Sequence, residues 1–98
     1  MGFFDFITSW FKSDKAKIVL KLGTQILKMF VGDLSEKIIA IAKEEVATAE
    51  ASGKDGLVKY KSAYDAIKYR LDVDIREFII NFAIELVVYA MNLAKTKK

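Results

Sequence analysis

The chain has 98 residues, 53% of them hydrophobic and 30% charged, with a net charge of +3. That is too apolar for intrinsic disorder, too charged for a chain embedded in lipid throughout, and short enough for one domain whose core would profit from self-association. Proline, cysteine and histidine are absent and glycine is limited to 5, which excludes disulfides, thiol nucleophiles, Cys or His metal sites, the usual neutral-pH general base and the tight turns of an all-β fold.

From the N-terminus, Asp5, Thr8, Ser9 and Lys12 recur at helical spacing while Phe3, Phe4, Phe6, Ile7, Trp10 and Phe11 fill the rest of the circumference. The pattern predicts a short amphipathic aromatic helix over residues 1–12, set apart from a bundle domain over 14–98. Those six apolar residues are the candidate membrane-binding or partner-binding site, because Trp and Phe suit both a lipid interface and a protein contact. No basic leader precedes them, so a secretory signal is not expected, and Phe6 stands where a myristoylation pattern needs Ser or Thr. The expected location is the host cytoplasm or the cytoplasmic face of its membrane, or a virion.

Ser13-Asp14 can cap a second helix, in which Ile18, Leu22, Ile26, Met29 and Phe30 form an apolar seam against Lys15, Lys17, Lys21 and Lys28. Gly32-Asp33 marks a break, with Asp33 or Ser35 as the next N-cap, although fusion of the second and third helices into one rod fits the same pattern. Leu34, Ile38, Ile41, Ala42 and Val46 then carry the core face of the third helix. Ser52 to Gly56 is the clearest loop.

Leu57, Tyr60, Tyr64, Ile67 and Leu71 give the fourth helix a heptad-like stripe. The lysines and arginine between its tyrosines read as side chains snorkelling around core knobs. Asp72 to Asp74 supplies a turn before the last helix, about Ile75 to Lys95, and the stretch from Phe78 to Ala94 is apolar enough for a membrane span or for the centre of a bundle. A carboxylate at mid-span, Glu85, favours the bundle and calls for an ion-pair partner. The last helix has more apolar circumference than a small bundle hides, so Ile80, Ile84, Val87, Val88 and Met91 are expected to form an oligomer interface.

The fold class is therefore an all-α bundle of about four to five helices. Glu44, Glu45, Glu50 and Asp55 form an acidic cluster with no histidine to complete a metal shell, and they read as a solvated face. No enzyme, metal, cofactor or small-molecule substrate is expected, for want of a nucleophile and base pair. Nucleic acid is not an expected partner either, because the positive charge is spread along the chain rather than gathered in a stripe.

Between Ile39 and Asn92 the chain resembles the soluble part of the phage LL-H type holin family. The matching features are a helix end with Val46, Ala49 and Glu50, a loop with Gly53 and Gly56 followed by Lys59 and Ala63, and the run Ile84, Glu85, Val88, Tyr89, Asn92. The resemblance implies a phage-encoded helical protein that self-associates and contacts a membrane or a phage structural protein. It also implies a transmembrane first helix, whereas the first third of this chain carries lysines every few positions, so pore formation is not expected. The alternatives are a virion or tail assembly protein and a small inhibitory binding protein.

Overall fold

The computed structural model describes residues 14–53, 55–71 and 74–95. The aromatic segment before Ser13 lies outside the described residues, so the expected helix over residues 1–12 falls there too. The described residues fold into four α-helices and no strand, a small all-α bundle.

Helix α1 runs Asp14–Val31, with Asp14 in its first turn opposing the helix dipole. It stops because Gly32 turns left-handed, with φ 61°, and its N–H returns to the Lys28 carbonyl at 3.0 Å. That residue decides between two helices and one rod. Helix α2, Leu34–Ala51, starts after Asp33, whose carboxylate makes no capping hydrogen bond. Ser35 caps nothing either: it sits inside the first turn, fully buried, with its hydroxyl unpartnered.

A second left-handed glycine, Gly53 at φ 74°, reverses the chain after α2. Helix α3, Gly56–Leu71, is capped by Asp55, whose carboxylate accepts the Val58 N–H at 3.1 Å. Helix α4, Glu77–Lys95, packs against all three others, while α1 and α3 lie apart on either side of it.

The core confirms the face read for α2, where Ile38, Ile41, Ala42 and Val46 are buried. It overturns the face read for α1. Ile18, Leu22, Ile26, Met29 and Phe30 are 47–82% exposed, and the buried residues are Ala16, Leu20, Gly23 and Leu27. Both sets recur at helical spacing, so periodicity alone does not choose between them. Close approach chooses: a Cβ on Gly23 would run into the side chain of Leu86, so α1 meets α4 on the face that carries Gly23.

Two further expectations need correction. On α3, Ile67 and Leu71 are buried and Tyr60 and Tyr64 partly so, but Leu57 is exposed where α3 begins and a cleft opens toward α4. On α4, Ile80, Ile84, Val87 and Met91 are at most 3% exposed and Val88 is partly buried. Their apolar area is already buried by α1, α2 and α3, so they are core residues and not an oligomer interface.

Helix α4 is long and apolar enough, from Glu77 to Ala94, to cross a membrane by length and composition. Its burial by three helices within the chain accounts for that hydrophobicity without a bilayer.

Two substitutions test this packing. Gly23→Leu should lower unfolding free energy by about 1–3 kcal/mol, since the side chain has to displace Leu86 or push α1 from α4. Ser35→Ala removes a buried hydroxyl without a partner and should raise stability by about 1 kcal/mol. Urea denaturation followed by circular dichroism reads both.

Candidate interaction surface

The exposed apolar residues of α1 form one continuous patch. Ile18, Leu22, Ile26 and Phe30 follow one another at four-residue spacing, and Met29 lies beside them. Burial on the opposite side by Leu20, Gly23 and Leu27 points this row outward. Lys17, Lys21 and Lys28 each immediately precede a member of the patch, at Ile18, Leu22 and Met29, and so line one flank of it. Lys28 keeps only a loose exposed contact with Glu36, at 3.6 Å.

Helix α4 extends the patch. The Phe30 and Phe78 rings meet edge to face with centroids 5.6 Å apart, and both are about half exposed. Phe82 and Tyr89 stand on the same side of α4 as Leu86, the residue that meets Gly23, so the outer edge of the α1–α4 seam is apolar along its length. At its far end Phe30, Val31, Ile75, Phe78 and Ile79 line a mostly apolar recess, together with Asp74 and Arg76.

A second feature is the cleft of about 350 Å³ between α2, α3 and α4. Its floor is Val46, Ala49, Ala63, Ile84, Val88 and Met91, and its rim carries Glu50, Lys59, Tyr60, Glu85 and Asn92. Two of the rim groups are bonded to each other, and a third reaches α4. Lys59 donates to Glu50 at 2.8 Å, and the Tyr60 hydroxyl donates to Asn81 Oδ1 at 2.7 Å. Burial, and next the charge of Glu85, push the Tyr60 phenol above its ordinary pKa, and Tyr64 shifts the same way through burial and Glu77.

Glu85 itself is exposed and makes no ion pair among the described residues, contrary to the partner its apolar sequence context called for. Its stripe faces water, so hydration takes the place of a counter-ion. The acidic cluster is likewise not a free solvated face. Arg70 reaches both Glu44 at 2.7 Å and Glu45 at 2.9 Å, and that pairing holds the guanidinium charged while tying α3 to α2.

The sequence-assigned sites thus separate. Phe3, Phe4, Phe6, Ile7, Trp10 and Phe11 lie outside the described residues. The proposed interface on α4 lies in the core, and the residues assigned to the core of α1 form the surface. Among the described residues no group of acidic, histidine or cysteine side chains could hold a metal ion. Compared with models of known families, with characterised proteins and with solved structures, the chain finds no match.

The cleft yields a pH prediction. A raised phenol pKa in the folded state contributes stability that is complete below the unfolded value of about 10.0 and is lost as pH rises through the higher folded value. In an ultraviolet titration of the native protein, a component of the tyrosinate absorbance should have its midpoint above the ordinary tyrosine value of about 10.0. Tyr60→Phe should remove a share of that late component.

Proposed function

We propose that the chain is a non-enzymatic helical protein that works by laying the outer face of α1 on an anionic lipid surface, the membrane contact of a phage-encoded, holin-like protein. One observation carries the membrane part: five large apolar side chains of a single helix stand 47–82% exposed with a row of lysines along one flank. A soluble surface rarely leaves so much contiguous apolar area open without a binding role. In an interfacial helix the apolar side chains enter the acyl boundary, and the lysines extend to headgroup phosphates.

The charge pattern favours lipid over a second copy of the same face. Helix α1 carries Lys15, Lys17, Lys21 and Lys28 against one carboxylate, Asp14. Pairing two such helices would bring like charges together, whereas an anionic bilayer neutralises them. The phage and holin part rests on the resemblance between Ile39 and Asn92 alone. Burial of α4 within the bundle favours peripheral attachment over spanning.

Flotation with vesicles tests the proposal. Binding is expected to phosphatidylcholine vesicles containing phosphatidylglycerol, to weaken with added salt, and to be far lower on phosphatidylcholine alone. Each lysine near an anionic surface is worth about 1 kcal/mol, so replacing Lys17, Lys21 and Lys28 with Gln should weaken binding roughly a hundredfold. Equal flotation on both vesicle types, or none on either, would refute the reading.

A further inference from the structure

We infer that the cleft between α2, α3 and α4 is a binding site for a small organic cation, an ammonium group carried on a short apolar chain. The site lies on the side of the bundle away from the α1 face, so it does not rest on the membrane reading.

The first argument is the shape of the cleft. Its floor is apolar and buried: Val46, Ala63, Ile84 and Met91 are at most 5% exposed, yet they border an open volume of about 350 Å³. Protein interiors normally close such spaces, leaving few that exceed a water molecule. Small residues leave this one open. Ala49 on α2 and Gly56 and Ala63 on α3 all line it, and a Cβ on Gly56 would meet nothing within 4 Å. A space of this size between bundle helices, apolar below and polar at its mouth, has the make-up of a small-molecule site. An apolar chain laid on that floor displaces water that the floor cannot hydrogen-bond.

The second argument is charge. Among the described residues the charged groups lining the cleft are Glu50, Lys59 and Glu85. Lys59 meets Glu50 at 2.8 Å, so those two charges offset each other. Glu85 has no ion pair among the described residues, and the positions one turn away on α4, Asn81, Phe82, Val88 and Tyr89, bring no cation to it. The mouth of the cleft therefore carries one uncompensated negative charge above an apolar floor. An anion is repelled there and a neutral molecule leaves Glu85 as it was, whereas an ammonium ion both pairs with the carboxylate and hands its apolar chain to the floor.

The third argument is the aromatic group beside that charge. Tyr60 also lines the cleft, and its hydroxyl is held by Asn81 Oδ1 at 2.7 Å, which fixes the side chain between α3 and α4. Burial first, and then the charge of Glu85, hold its phenol above the ordinary pKa, which is the field an ammonium ion would meet. A ring next to a carboxylate favours a cation over a neutral group of the same shape.

The probe is n-hexylammonium, titrated at neutral pH into the isotope-labelled full chain while backbone amide shifts are followed by NMR. Saturable shifts are expected at Ala49, Lys59, Ala63 and Val88, with a dissociation constant on the order of 1 mM, and none at Leu22 or Ile26 on the α1 face. Hexanol and hexanoate should bind more weakly, hexanoate the weakest. Because the Glu85 side chain is exposed, Glu85→Gln should leave the fold intact. It should weaken hexylammonium about two- to fivefold and leave hexanol unchanged. Val88→Phe, at the partly buried edge of the cleft, should block both probes, with circular dichroism checking that the helices persist. Absence of saturable binding, equal binding of the three probes, indifference to Glu85→Gln, or shifts confined to α1 would each overturn the inference.

Discussion

The close approach of α1 to α4 at Gly23 governs much of the rest of the molecule. Where a larger residue would hold the two helices apart, the missing Cβ leaves room for the Leu86 side chain and turns Ala16, Leu20 and Leu27 inward with it. A helix can present only one face to its neighbours. Once the Gly23 face is chosen, the large apolar residues of α1 are carried to the opposite side and the lysine row is set along their flank. The interaction surface is thus a by-product of how the core closes.

On the other side of α4, the α2–α3 hairpin is held by a different kind of contact. Arg70 bridges Glu44 and Glu45 near the end of α3, and Lys59 meets Glu50 near its start. These pairs are partly exposed, so each contributes only tenths of a kcal/mol to about 1 kcal/mol, less than the burial of Ile67 and Leu71 beside them. Their effect is to set the register of α3 on α2. Between the two ion-paired ends, the shallow contact of α3 with α4 leaves the cleft beneath Tyr60.

The two sides of the bundle therefore differ in chemistry. The α2–α3 side is laced with paired charges and half-buried tyrosines, and on the rim of its cleft Lys59 pairs with Glu50 while Glu85 faces water. The α1 side is apolar and basic with few internal partners, and this asymmetry is the strongest functional statement the fold makes. The anionic membrane surface proposed above would be complementary to it through charge and apolar depth.

Several features were legible in the residues alone. The absence of proline and the recurring apolar spacing pointed to an all-α bundle of four to five helices, with Gly32 a break that still allowed one fused rod, and the absence of histidine and cysteine removed the usual metal and thiol ligands. Where one face of a helix was clearly more apolar than the other, as in α2, the core could be read directly. Helix α1 has two apolar faces, one of five large residues and one that mixes Ala16 and Gly23 with Leu20 and Leu27, and burial preference by size pointed to the wrong one. Only the tertiary structure decided between them, because the choice rests on the distance between two backbones, to which a glycine contributes by what it lacks. The same holds for α4, whose broad hydrophobicity suits an oligomer interface, a membrane span or a central helix equally. Burial of its core face by the other three helices, a property of the assembled bundle and not of any segment, made it a central helix together with α2.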